Sequence, residues 1–137
     1  MKYLALLLAL VIGTAASAQD SWTVWTGMKT LDRFTEENRE LNTVSVSAAR
    51  LKQGYMRVNY YQKEKNPGWV RTLAVFDSTG NELYKKQGAE LRLTTAQLKK
   101  WMALKKVEVY TWSLPTDPKL AASVRVRRVH LVTLQVK

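Results

Sequence analysis

The chain contains no cysteine and only one histidine, His130, among its 137 residues. Without cysteine there can be no disulfide, no thiolate metal site and no cysteine nucleophile. A single histidine excludes a metal site that needs two imidazoles from one chain, and serine–histidine–aspartate chemistry could use His130 alone. We therefore expect no metal site, no cofactor and no catalytic residue of these common kinds.

Acidic residues are half as numerous as basic ones, 11 against 22. The scarcity is regional, because residues 19–41 carry five acids and three bases, whereas residues 42–137 carry six acids and 18 bases. A glycosidase requires two positioned carboxylates, so the acid-poor region makes that chemistry the less favoured hypothesis. A strong positive charge instead attracts polyanions.

No apolar run reaches the roughly 20 residues that a membrane-spanning helix needs. One run, residues 4–12, follows the basic residue Lys2 and precedes two small residues, Ala16 and Ala18. This order is typical of a bacterial secretory signal peptide, residues 1–18, that is cleaved after Ala18. We therefore expect a periplasmic or secreted protein whose mature chain has no transmembrane segment.

The mature chain, residues 19–137, is expected to form one domain made of short strands separated by turns. Apolar and polar residues alternate cleanly at residues 44–48 and 56–61. The lead-in, residues 19–41, is less regular, and its later part, residues 29–41, fits either a helix or an irregular loop. No internal repeat or linker divides the domain.

One short helix is predicted near residues 95–102, because Thr94 or Thr95 can cap it and Gln97 lies near the reciprocal capping position. About seven or eight strands fit around it, without the helix between every pair of strands that a parallel sheet requires. The pattern favours an all-β fold, an antiparallel two-sheet sandwich. The late crossover helix resembles that of many immunoglobulin-like domains, so an immunoglobulin-like architecture is expected.

The candidate binding residues lie in a long final strand predicted over residues 123–137. Arg125 and Arg127 alternate with valines that should face the core, so both arginines should face solvent. The alternation then breaks, which leaves open a β-bulge near Arg128 or the placement of Arg128 and His130 on the apolar face. The functional hypothesis is an anion-binding patch formed by these three arginines and His130. The alternative is a solvated basic strand that protects a sheet edge.

Five tryptophans are a second candidate source of binding chemistry. Exposed tryptophan and tyrosine rings can stack against sugars, whereas buried rings supply core area. Trp101 lies on the apolar face of the predicted helix and is expected in the core. Trp22 and Trp25 are three residues apart, so one regular strand cannot place both on the same face. One of the two is therefore a candidate for a glycan platform.

Together these features predict a secreted, non-catalytic binding module. Its expected partner is an anionic polysaccharide, a lipid headgroup or an envelope protein, since a secreted protein rarely meets nucleic acid. The alternative hypothesis is a small glycan-active hydrolase that uses Asp and Glu. The sequence leaves the specific ligand and the oligomeric state open.

Overall fold

The computed structural model describes residues 20–47, 49, 52 and 54–137, and the predicted signal peptide lies outside this part of the chain. The described residues form nine strands and few helical turns. The strands are β1 (Ser21–Thr26), β2 (Lys29–Phe34), β3 (Thr43–Val46), β4 (Tyr55–Tyr61), β5 (Trp69–Phe76), β6 (Glu82–Gln87), β7 (Glu90–Thr94), β8 (Lys106–Pro115) and β9 (Val129–Val136). The helices are α1 (Thr95–Trp101) and α2 (Pro118–Ser123), with a 3₁₀ turn at Met102–Leu104 after α1.

The strands form a four-stranded sheet in the order β2–β1–β4–β7 and a five-stranded sheet in the order β3–β9–β8–β5–β6. The predicted all-β, two-sheet architecture is therefore confirmed. Neighbouring strands are antiparallel except for β3 and β9, which run parallel. The expectation of a wholly antiparallel fold is wrong at this pair, because alternation of side chains reports which face is buried and not the direction of the neighbouring strand.

The hydrophobic core lies between the two sheets. Val58 and Leu93 of the four-stranded sheet and Val75 and Val109 of the five-stranded sheet are fully buried in it. Each buried side chain of this size stabilises the fold by about 1.5–3 kcal/mol. Trp22 is also buried in this core, which leaves Trp25 as the half-exposed member of the pair considered as a glycan platform.

The predicted helix is confirmed as α1. The Thr94 hydroxyl accepts a hydrogen bond from the Gln97 backbone N–H at 3.2 Å, and the Gln97 side chain accepts one from the Thr94 N–H at 2.9 Å. Leu98 and Trp101, which form the apolar face of the helix, are buried. The helix thereby carries the chain from β7 in one sheet to β8 in the other.

A second helix, α2, was not predicted. The Asp117 carboxylate accepts a hydrogen bond from the Lys119 N–H at 3.0 Å, and Pro118 occupies the first turn. Proline is well suited to that position, because the N–H that it lacks has no partner inside a helix.

Within the described residues, no helix combines the length and the apolar character needed to cross a membrane.

The final strand predicted over residues 123–137 is shorter than expected. Residues 124–128 have no regular structure, and β9 begins only after them. Val126 is 43% exposed, so the prediction that it faces the core is wrong. Arg125 and Arg127 are exposed as expected, but they project from an irregular segment and not from a strand.

A β-bulge does occur in β9, although further along than the sequence suggested. Val109 of β8 pairs with Val132, whereas the next residue, Tyr110, pairs with His130, so Leu131 is the extra residue. Leu131 and Val132 are consequently both buried in the core, and His130 projects to the outer face of the five-stranded sheet. Neither arrangement considered for the break in alternation is correct.

The lead-in contains more strand than predicted. Residues 29–34 form β2, which pairs with β1 in an antiparallel hairpin, so the helix considered for this region is wrong. Residues 35–42, here called the crossing segment, then run from the four-stranded sheet to β3 at the edge of the other sheet. The Asn38 side chain turns this segment by accepting hydrogen bonds from the N–H groups of Glu40 and Leu41 at 3.2 and 3.0 Å.

Candidate functional site

A groove crosses the outer face of the five-stranded sheet between the crossing segment and residues 124–128. It consists of two depressions of about 210 and 220 Å³ that share Arg39, Tyr110 and Arg128. Residues 77–80 of the turn after β5 line one of the depressions. We call this feature the Arg39–Arg128 groove. It is also lined by Glu37, Phe76, Asp77, Glu108 and His130.

The floor of the groove is set by strand register. Phe76 of β5 pairs with Glu108 of β8, and Tyr110 of β8 pairs with His130 of β9. Because alternate residues of a strand face the same side, Glu108 and Tyr110 both project outward. The Tyr110 ring packs edge-to-face against Phe76 with centroids 5.4 Å apart and against His130 at 5.3 Å. The floor is therefore aromatic, with a carboxylate beside it.

Glu108 is only 8% exposed, which is rare for a carboxylate. Arg39 of the crossing segment neutralises it, with Nη2 at 3.2 Å from Oε2 and 3.3 Å from Oε1. The Tyr110 hydroxyl contacts both Arg39 and Glu108. The hydrogen bond that Arg39 donates to Glu108 raises the pKa of Arg39, while burial and then the charge of Glu108 raise the pKa of Tyr110. Arg39 is thus committed to a partner within the protein.

Arg128 lies on the aromatic floor. Its guanidinium carbon is 4.6 Å from the centroid of Phe76 and 5.4 Å from that of Tyr110. Such cation–π contacts orient a guanidinium without neutralising it. Arg128 is exposed and forms no ion pair with the described carboxylates. It therefore presents a guanidinium without a direct ion-pair partner inside the groove, although the carboxylate of Asp77 lines the same depression.

Glu37 joins the crossing segment to the start of β9. Its carboxylate accepts a hydrogen bond from Arg127 Nη2 at 2.7 Å and another from the backbone N–H of His130 at 2.9 Å. The Glu37 carboxylate therefore fastens the crossing segment to the start of β9. Arg127 is engaged in that ion pair and lines neither depression of the groove.

The His130 ring is only 3% exposed. Its Nε2 atom lies 2.9 Å from Thr133 Oγ1, whereas Nδ1 is buried without a hydrogen-bond partner among the residues that the structure describes. Burial lowers the pKa of the imidazole, and the negative charge of Glu108 opposes that shift in part. His130 is consequently neutral at neutral pH and adds no positive charge to the site.

The structure places two of the four predicted binding residues, Arg128 and His130, in the lining of this groove. Arg127 lines neither depression and contacts the site only through its ion pair with the lining residue Glu37. Arg125 is exposed on the same segment but does not line either depression. Sequence reasoning missed Arg39, whose partner Glu108 is 69 residues away. The sequence signal that pointed to a buried ion pair was Glu108, an acidic residue that lies between Val107 and Val109 in an apolar strand.

Three carboxylates, Glu37, Asp77 and Glu108, line the groove, and acidic side chains are what the alternative of a glycan-active hydrolase requires. Hydrogen bonds from Asn81 and Thr79 lower the pKa of Asp77 to about 2. Glu108 is held by the Arg39 guanidinium. A general acid must retain its proton at the working pH, and the hydrogen bonds that lower the pKa of Asp77 argue against that role for this residue.

A scan against protein-family models finds no family that matches the chain, and a search of curated proteins finds no relative. The site is therefore interpreted from its geometry and charge.

Proposed function

We propose that the protein is an exported, non-catalytic β-sandwich that binds an anionic component of the cell envelope in the Arg39–Arg128 groove. The observation that carries the proposal is the Arg128 guanidinium, which is exposed, oriented by two aromatic rings and without an ion-pair partner in the described chain. A guanidinium in this state can donate two parallel hydrogen bonds to a phosphate or carboxylate. The rings beneath it exclude water from one side, which strengthens those bonds.

The charge of the whole domain supports the same class of partner. Residues 42–137 carry 18 bases and six acids, and such a field raises the local concentration of polyanions. For an exported protein the available polyanions are acidic polysaccharides and lipid headgroups, and an envelope protein with an acidic patch offers the same chemistry. The groove is therefore proposed as a receptor for one carboxylate or phosphate of such a molecule.

We also infer that the sandwich is immunoglobulin-like. In support, β5, β8 and β9 are neighbours in one sheet, which β6 extends as a hairpin, and β4 and β7 are neighbours in the other. The crossover through α1 from β7 to β8 fits the same scheme, in which β4 to β9 correspond to strands B, C, C′, E, F and G. An experimental structure with a different strand order would contradict this assignment.

Retention on a dextran sulfate column tests the proposed groove. Arg128→Gln is expected to weaken binding about tenfold, because a hydrogen bond to a charged group contributes roughly 1.5–3 kcal/mol. Its matched control is Arg125→Gln, which removes the same charge from an exposed position of the same segment outside the groove. The control should bind within about twofold of the unmodified protein.

Retention of Arg128→Gln and Arg125→Gln on the column can also contradict the proposed groove. Equal weakening by the two substitutions would mean that net charge, and not the groove, drives retention. Because Arg128 is exposed, its replacement should leave the melting temperature unchanged, and a large drop would indicate a structural role. The alternative of a glycan-active hydrolase gains no support from this groove, since Asp77 and Glu108 are both engaged by donors within the protein.

A further inference from the structure

The outer face of the four-stranded sheet carries a second arginine-rich surface, on the opposite side of the sandwich from the groove. Core residues of β1, β4 and β7 point inward, so the alternate residues of these strands point outward. All of these outward side chains are polar or aromatic. We call this surface the outer arginine face. It includes Trp25, Tyr55, Arg57, Asn59, Tyr61 and Arg92.

Two like charges lie side by side on the outer arginine face. Arg57 of β4 is directly opposite Arg92 of β7 in the antiparallel register. The Cβ atoms of such a pair are about 5 Å apart, and like charges in that position are destabilising. Arg92 has one long ion pair, 3.7 Å from Glu90, and Arg57 has none among the described residues. An anion placed between the two guanidiniums would relieve this repulsion.

Both guanidiniums are held in place by aromatic rings. The Arg57 guanidinium is 4.9 Å from the centroid of Trp25, and that of Arg92 is 4.4 Å from Tyr55. The Trp25 indole is itself fixed by a hydrogen bond from Nε1 to Thr23 Oγ1 at 2.8 Å. Groups that are already oriented lose less entropy when they take a ligand. The pair is therefore preorganised for a planar carboxylate.

Two buried polar atoms of this face, one in Arg57 and one in its neighbour Asn59, lack hydrogen-bond partners among the described residues. The two atoms are Arg57 Nε and Asn59 Oδ1. Buried polar atoms are normally paired, so a small movement of these side chains that lets a ligand meet both atoms is favoured. One of these atoms donates and the other accepts, and a sugar hydroxyl can do both, whereas an ionised phosphodiester can only accept.

We propose that the outer arginine face binds an acidic polysaccharide, with a uronate carboxylate between Arg57 and Arg92 and a neighbouring hydroxyl on Asn59. Tyr61 is 65% exposed and lies two residues beyond Asn59 on the same strand face. Its ring offers a surface on which an adjoining sugar packs. A bilayer suits this face less well, because interfacial binding requires apolar side chains that enter the acyl region.

Calorimetric titration of residues 19–137 with an oligogalacturonate tests this site. Arg92→Gln removes an exposed guanidinium and is expected to weaken binding at least tenfold, and Arg57→Gln should do the same. Tyr61→Ala should weaken it severalfold without changing the melting temperature. Lys99→Gln on α1 is the charge-matched control, and Arg128→Gln tests the groove separately; both should bind within about twofold of the unmodified protein.

Polyglutamate and vesicles rich in phosphatidylglycerol serve as competing probes. Weaker binding of polyglutamate, insensitive to Tyr61→Ala, would support recognition of the sugar as well as of its charge. The proposal is overturned if Arg92→Gln and Lys99→Gln have equal effects, or if either competing probe binds more tightly than the oligogalacturonate. If Arg57→Gln fails to fold, Arg92→Gln decides the result alone. Loss of oligogalacturonate binding in Arg128→Gln only would assign the sugar to the groove instead.

Discussion

Glu108 and His130 project from the outer face of a sheet, yet they are 8% and 3% exposed because neighbouring segments cover them. The two side chains differ in the partners that they find there. Arg39 supplies Glu108 with both a positive charge and hydrogen-bond donors. His130 has no carboxylate in hydrogen-bond contact with its ring, so burial favours its neutral form.

The buried imidazole predicts a loss of stability on mild acidification. Burial lowers the pKa of His130 below its ordinary value of 6.5, so the unfolded chain binds this proton more readily than the folded one. The contribution of neutral His130 to stability is therefore full above about pH 6.5, and it falls as the pH drops from there toward the lowered folded pKa.

Urea denaturation at about pH 7.5 and about pH 5 measures this effect. The unmodified protein should lose more unfolding free energy between the two conditions than His130→Gln does. Equal losses in the two proteins would show that other groups govern the acid response.

The arginines of the two proposed sites differ in how far their exposure and their partners could be predicted from the sequence. Arg128 belongs to a local basic run, and Arg57 and Arg92 alternate with core residues, so their exposure could be predicted. The pairing of Arg39 with Glu108 spans 69 residues and leaves no local pattern. The juxtaposition of Arg57 and Arg92 depends on which strands become neighbours, and alternation within one strand does not contain that information.

Among the elements, α1 was predictable because its cap and its buried face lie within one short stretch of sequence. The helix α2 was missed because Asp117 and Pro118 are equally typical of a turn, and only the following residues decide between the two. The parallel placement of β3 beside β9 is a property of the assembled sheet. Helix α1 is therefore determined by side chains close together in the sequence, whereas the order and direction of the strands are determined by packing between distant parts of the chain.

The α1 cap gives a stability prediction for one element. Thr94→Ala is expected to lower the unfolding free energy by about 1 kcal/mol, because the Gln97 N–H loses its acceptor. Thr94→Ser keeps a hydroxyl and should retain most of the stability. Urea denaturation of the three proteins measures the difference. Identical midpoints for Thr94→Ala and the unmodified protein would show that the capping bonds add nothing in solution.

For the whole molecule, the proposed export predicts a defined start of the mature chain. Cleavage after Ala18 would leave β1 intact, because that strand begins at Ser21 and places Trp22 in the core. Intact-mass measurement of the protein from its native cell is therefore expected to give a chain that starts at Gln19. A full-length product that remains in the cytoplasm would contradict the proposed location.

The position of β9 also constrains the order in which the molecule can fold. It is the last strand along the chain, yet it lies between β3 and β8. Near the other end, Trp22 donates its indole N–H to the Leu131 carbonyl at 2.8 Å, across 109 residues. Before β9 is synthesised, β3 and β8 lack the strand that lies between them. We therefore expect the five-stranded sheet to be completed, and the contact between Trp22 and Leu131 to form, only after this strand has left the ribosome.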